Sequence, residues 1–172
     1  MSELVYRDQA HAGDVAHVRD LIASSGFFSQ HELTLALELL EERLHKGAAS
    51  GYQFLFAERA GQVVAYTCFG PIPATLHSYD LYWIAVRNDL RGGGIGKKLL
   101  LKTESAIALQ DGQRIYIETS SRPQYAPTRA FYLRTGYRET AVLQDFYAPG
   151  DSKIIFSKSL ETTLDLPQLT AA

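Results

Sequence analysis

A chain of 172 residues is long enough to bury a core and is read as one domain over residues 1–160, with residues 161–172 as a loosely ordered tail. Hydrophobic residues at 46% and charged residues at 21% exclude a disordered chain, and a net charge of −2 with a pI near 6.2 gives no electrostatic reason to expect nucleic acid or an anionic membrane as partner. One cysteine, Cys68, excludes an intrachain disulfide and a cysteine metal cluster; no apolar run reaches the roughly 18 residues of a membrane helix, and MSELVYRDQAHAGD lacks a signal-type apolar core, so a soluble, cytoplasmic protein is expected.

LVYRDQA alternates and reads as a short strand. Gly13-Asp14 opens a helix with Val15, Val18, Leu21 and Ile22 on one face. SQHELTLALELLEERLHKG is a second helix, with Ser29 as N-cap, Glu32 completing a capping box and Gly47 stopping it. YQFLFAER and QVVAYTCFG, joined by Ala60-Gly61, read as a β-hairpin that ends at Pro71 and Pro73. YDLYWIAV is almost wholly apolar, the pattern of a strand buried on both faces. RGGGIGKK follows it, then the helix KLLLKTESAIALQ, the strand RIYIETS and a short helix, PTRAFYLRTGY, stopped at Gly136. RETAVLQDFY and SKIIFSKSL flank the turn Ala148-Pro149-Gly150-Asp151. The order β-α-α-β-β-β-α-β-α-β-β predicts an α/β fold with a mixed, mostly antiparallel sheet, and places the glycine-rich loop at the carboxyl end of a central strand, where open α/β sheets bind ligands.

The loop is not a Walker A motif: residue 91 is arginine where the first glycine belongs, and residue 98 is lysine where Ser or Thr belongs. It is not a dinucleotide fingerprint either, since Lys97 replaces the third glycine. Arg91-Gly92-Gly93-Gly94-Ile95-Gly96 fits the pattern [Gln/Arg]-x-x-Gly-x-[Gly/Ala], and Thr128 to Tyr137 supply the tyrosine, glycine and final aromatic of A-x-x-x-Y-x-x-x-G-[F/Y], with threonine in place of the first alanine. On these two motifs the chain resembles the GCN5-related N-acetyltransferase (GNAT) family over residues 4–160. One departure is Tyr125, which stands where the family often has an asparagine seven residues before the helix tyrosine.

The resemblance implies an acetyl-CoA-dependent N-acetyltransferase, acting without metal on a primary amine of a small molecule or peptide by direct transfer. Backbone atoms of Ile84, Ala85 and Val86 would hold the pantetheine arm, and Arg91, Gly92, Gly93, Gly94, Ile95, Gly96 and Lys97 the pyrophosphate. The physics of that loop is independent of any family: bare N–H groups and the positive end of a helix dipole form an anion site. The family position makes Tyr132 the expected general acid, and analogy with different members offers Asp80 or Glu118 as general base. For Glu118 the competing reading is an ion pair with Arg122 or Arg129. Cys68 and Trp83 read as packing, and the histidines 11, 17, 31, 45 and 77 have no metal-ligand spacing. His77 is a candidate for the acceptor cleft, as are the acid and aromatics of DFYAPGD; residues 29–46, 71–78 and 145–151 are expected to shape that cleft. No nucleic acid or membrane partner is expected, and a homodimer is admitted. The rival from another class is a coenzyme-A sensor or regulatory domain without turnover; thiol release from acetyl-CoA with a panel of amines separates the two.

Overall fold

The structure, a computed structural model, describes residues 3–26 and 28–160; the tail read at 161–172 lies outside them. The strands are β1 (Val5–Arg7), β2 (Gln53–Arg59), β3 (Gln62–Pro71), β4 (Ser78–Val86), β5 (Arg114–Ser120), β6 (Arg138–Ala148) and β7 (Asp151–Ser159). The helices are α1 (Asp14–Ala23), α2 (Gln30–Lys46), α3 (Ile95–Ala108) and α4 (Ala126–Arg134), with short 3-10 turns at Gly47–Ser50, Asn88–Leu90 and Pro123–Tyr125. The strands form one sheet in the order β1-β2-β3-β4-β5-β7-β6, antiparallel everywhere except between β4 and β5. This is the expected α/β fold with its mixed, mostly antiparallel sheet.

Local signals explain the elements. The capping box forms as read: Glu32 N donates to Ser29 Oγ at 3.2 Å, and Ser29 N donates to Glu32 Oε2 at 2.7 Å. Ala60 and Gly61 both take positive φ, 52° and 75°, the geometry whose twist suits a two-residue hairpin. Pro127 enters α4 within its first turn, where its missing N–H costs nothing.

The helices cover opposite faces of the sheet. Val18, Leu21, Ile22 and Leu40 of α1 and α2 pack on Phe54, Phe56, Tyr66 and Cys68, so Cys68 is a core residue, as expected, and burial pushes its thiol pKa up. Leu100, Ile107, Tyr132 and Tyr137 pack with Tyr79, Leu81, Ile115, Ile117 and Phe156 on the other face. Within that second layer Glu104 is buried and satisfied: Lys158 Nζ donates to both its oxygens at 2.9 and 2.8 Å, and Tyr137 Oη donates at 3.0 Å. Removing one partner from such a pair strands a buried charge. Lys158→Met is therefore expected to cost about 3 kcal/mol, read as a lower urea midpoint with unchanged slope.

The strand β4 departs from expectation. Its sequence reads as buried on both faces, but Tyr82 is 38% exposed and Trp83 and Ile84 are half-buried; the fully covered strand is β3. Two features cause this. Leu81 pairs with Phe69 and Trp83 with Cys68, leaving Tyr82 as the extra residue of a β-bulge. And β4 pairs with β5 only where Ser78, Tyr79 and Asp80 meet Arg114, Ile115 and Tyr116. Beyond that point the two parallel strands carry no ladder between them, and a cleft opens in the middle of the sheet. The apolar character of β4 serves the walls of that cleft.

Candidate functional site

The cleft has a volume of about 1190 Å³ and is walled by β4, β5, the 91–97 loop, α4, the start of α2 and the β6–β7 hairpin. The loop is shaped by its glycines. Gly92 and Gly94 have φ of 80° and 79°, and Gly94 is the N-cap of α3 without any side chain to satisfy the helix's first N–H groups. A Cβ on Gly96 would lie 3.4 Å from Val86 Cγ2 and 3.8 Å from Phe131, so glycine lets α3 close on β4 and α4. Arg91, Gly92, Gly94, Ile95, Gly96 and Lys97 line the cleft, together with Ile84, Ala85 and Val86 of β4. Gly93 does not; its Cα faces the carbonyl of Leu90, 3.5 Å from where a Cβ would sit. Arg91 Nε donates to the carbonyl of Val86 at 3.4 Å, and burial lowers the guanidinium's pKa.

Tyr132 enters the same cleft from α4. Its ring packs against Phe131, Tyr137 and Phe156 with centroids 5.6, 5.9 and 5.6 Å away, and the residue is only 5% exposed. No described residue hydrogen-bonds its hydroxyl, and burial raises the phenol's pKa above the ordinary tyrosine value.

The two candidate carboxylates are neighbours. Glu118 lies on the cleft wall, and its cation is Lys153 of β7, Nζ to Oε2 at 2.6 Å, not Arg122 or Arg129. Lys153 in turn lies 3.8 Å from the Phe146 ring centroid. Asp80 is not on the wall; its half-buried carboxyl has no hydrogen-bond partner among the described residues. Desolvation, with a smaller contribution from the charge of Glu118, pushes its pKa up to about 6, against the opposing pull of Lys153.

A third group of residues was not assembled by the sequence reading. Tyr125, at the departure from the family pattern, is buried and donates to Glu32 Oε1 at 2.6 Å, tying the 123–125 turn to α2. Arg122 reaches Asp151 Oδ2 at 3.1 Å and lies 4.0 Å from Glu32, while Ser120 Oγ donates to Asp151 Oδ1 at 2.5 Å. Arg129 Nη1 donates to the carbonyls of Ser120 and Arg122 at 2.8 and 3.0 Å, and so braces this corner. Phe28, Leu35, Trp83 and Tyr147 complete the wall around it, so Trp83 is a cleft residue as well as a packing one. Of the segments expected to shape the acceptor cleft, 29–46 contributes its first turns and 145–151 contributes Tyr147 and Asp151. No residue of 71–78 lines the cleft; His77 Nδ1 instead bonds the carbonyl of Asp111 at 2.9 Å. Asp145 caps the β6–β7 turn, accepting from Gly150 N at 2.8 Å, so the acid of DFYAPGD that faces the cleft is Asp151.

Among the described residues there is no group of His, Cys, Asp or Glu arranged to hold a metal ion, and no helix is long and apolar enough to cross a membrane.

The geometry is that of a split mixed sheet, with β4 and β5 splayed and the glycine-built start of α3 at the mouth of the cleft between them. Residues 50–139 match the family model of the acetyltransferase (GNAT) domain, and the chain belongs to that family. A protein of Methanocaldococcus jannaschii described as an uncharacterized N-acetyltransferase is 33% identical over 105 residues, which cover 61% of this chain; the chain spans 65% of that relative's length. A GNAT-family structure from Desulfovibrio desulfuricans is 42% identical and superposes with a TM-score of 0.89, covering 91% of this chain and 99% of its own. The PaiA N-acetyltransferase of Thermoplasma acidophilum, solved in complex with coenzyme A, shares the fold at a TM-score of 0.70 with 16% identity, covering 92% and 99%.

Proposed function

We propose that this chain is an acetyl-CoA-dependent N-acetyltransferase that moves an acetyl group directly to a primary amine of a small molecule or peptide. The observation that carries the reading is one cleft holding both a helix start built of glycines, with its N–H groups uncapped by any side chain, and Tyr132, buried and with a hydroxyl that no described residue hydrogen-bonds. A sensor that only binds needs the first and gains nothing from the second.

The residues divide the work. The N–H groups of residues 94–97, with Arg91 and Lys97, take the diphosphate. The unladdered edge of β4 at Ile84, Ala85 and Val86 takes the pantetheine amides as an added strand would. Acetyl-CoA supplies the thioester. Glu118, on the wall, holds the incoming ammonium through the oxygen that Lys153 leaves open. Asp80 takes the ammonium's proton through water, its pKa of about 6 suiting a base that works near neutrality. The amine nitrogen then bonds to the acetyl carbon, the carbon–sulfur bond breaks, Tyr132 gives its proton to the sulfur, and the second proton that the nitrogen sheds in becoming an amide returns the phenolate to the phenol.

The test is thiol release from acetyl-CoA with a panel of amines. In addition, acetyl-CoA and desulfo-CoA are both expected to raise the melting temperature, because the groups named contact diphosphate and pantetheine rather than sulfur. A hundredfold excess over Kd is worth about 2.7 kcal/mol. Absence of a shift with either ligand removes the reading.

Asp80→Asn separates the two carboxylates. A base with a pKa of about 6 gives kcat/KM an acidic limb there, and the variant is expected to lose it. Two acceptors of different basicity exclude the amine itself as the source of the limb. Stability moves the other way. The folded pKa is raised from 3.8 to about 6, so the folded chain binds this proton more tightly than the unfolded one, and stability present below pH 4 is lost as pH rises through 6. Asp80→Asn is therefore expected to raise the melting temperature at pH 8 and leave it unchanged at pH 3.5. Glu118→Gln is expected to raise KM for the amine and keep the limb.

A further inference from the structure

The charges that line the cleft are sorted by position. At the end formed by the 91–97 loop and α4 they are Arg91, Lys97 and Arg134, with no acid among the described lining residues. At the other end the lining charges are Glu32, Glu118 and Asp151 with Arg122, and Lys153, which does not line the cleft, pairs with Glu118 at 2.6 Å. That arginine is committed: its Nε lies 3.1 Å from Asp151 and its Nη2 4.0 Å from Glu32. The three acids come from α2, β5 and β7, so no single turn or helix end gathers them. They share the cleft wall with Tyr147, whose pKa rises to about 12 by desolvation and by the charges of Glu118, Asp151 and Glu32, in that order. Aromatic faces complete this end. Phe28 meets Trp83 at 5.5 Å and Tyr125 at 6.4 Å, and Tyr147 stands 48% exposed. The acids share their cavity with Tyr132, a buried residue whose hydroxyl hydrogen-bonds no described residue, which marks it independently as a ligand site. Polyanion recognition at one end and acids among aromatic faces at the other are complementary to two ligands of opposite charge.

The geometry points to an acceptor that is at least dicationic, a primary amine carrying a second ammonium-type nitrogen and no carboxylate, with the reacting nitrogen at Glu118 and the second between Asp151, Glu32 and the Tyr147 ring. This inference rests on the transferase reading and names its substrate class. A carboxylate on the acceptor would face three acids whose cations, Arg122 and Lys153, are already paired with them. A lone amine would leave the second position to water.

Three acceptors of equal chain length carry the test: 1,4-diaminobutane, n-butylamine and 4-aminobutyrate, bearing two, one and no net positive charges. With the full chain and saturating acetyl-CoA, kcat/KM is expected to fall by about tenfold or more at each step of that series. The advantage of the diamine over the monoamine shrinks as salt rises to about 0.5 M, where charges are screened within a few ångströms. Asp151→Asn narrows the diamine-to-monoamine ratio. Should loss of its contact with Ser120 prevent folding, Glu32→Gln serves in its place, with circular dichroism and the melting temperature reporting the fold. Turnover of n-butylamine or 4-aminobutyrate equal to or better than the diamine overturns the inference and leaves the transferase reading standing. A ratio unchanged in the variant also overturns it. Failure of every amine to release thiol, across this series and the broader panel, overturns the transferase reading and this inference together.

Discussion

Tyr132→Phe is expected to lower kcat by about 10²–10⁴-fold, the range for loss of a general acid, while leaving acetyl-CoA affinity and the melting temperature nearly unchanged. The separation follows from how the side chain is held. Its ring is fixed by Phe131, Tyr137 and Phe156, and phenylalanine keeps all of that packing. Its hydroxyl makes no hydrogen bond to any described residue, so removing it strands no partner. A hydroxyl of purely structural use would behave the opposite way, costing about 1–3 kcal/mol of stability through the unpaired group left behind and sparing kcat. Burial raises the phenol's pKa, so Tyr132 stays protonated across the working range. The wild type should therefore show no basic limb from this residue below pH 9. Near-full kcat in Tyr132→Phe would leave solvent as the proton donor.

The order of elements was legible because each carries a local signature. The capping box at Ser29 and Glu32, the Ala60-Gly61 turn and the glycines of the 91–97 loop are readable from a few adjacent residues. The end of the cleft at the 91–97 loop was legible for the same reason: its walls come from two short contiguous runs, Ile84–Val86 and Arg91–Lys97, and one helix. At the other end the sequence pointed to the segments 29–46 and 145–151 but not to how their residues meet. Glu32, Arg122, Tyr125, Tyr147 and Asp151 come from three separate stretches of chain and meet only because β4 and β5 diverge. Each also has a sufficient local explanation, Glu32 as a cap and Asp151 as a turn residue, and that explanation hides the tertiary one. The apolar run of β4 misled in a related way. Its hydrophobicity predicts burial between layers, whereas the bulge at Tyr82 and the missing ladder to β5 give the same side chains to a cleft. Glu118 shows the limit for charge pairs: Arg122 and Arg129 are close in sequence, but Lys153 lies on the strand beside it.

Gly94→Glu is expected to abolish cofactor binding in a chain that still folds. The two halves of that statement have separate causes. Gly94 holds φ at 79° as the N-cap of α3, and a residue with a side chain pays about 1–2 kcal/mol there. That cost is tolerable, and nothing lies within 4 Å of the Cβ position, so the first atom of the new side chain meets no steric block. The effect on binding is electrostatic. The new carboxylate stands at the helix start that attracts anions, and two unit charges about 5 Å apart at an effective dielectric of 20 repel by about 3 kcal/mol. A diphosphate presents more than one such charge, so the affinity loss measured by calorimetry should exceed about a hundredfold. Gly94→Asn separates strain from charge, since asparagine enters the left-handed region most readily after glycine and carries no charge. It is expected to lower the melting temperature by a similar amount while retaining most of the affinity. Equal loss in both variants would mean that backbone shape alone governs the site. Unchanged affinity in Gly94→Glu, with normal circular dichroism, would reduce Arg91-Gly92-Gly93-Gly94-Ile95-Gly96 to a strand-to-helix turn and remove the basis for placing a diphosphate there.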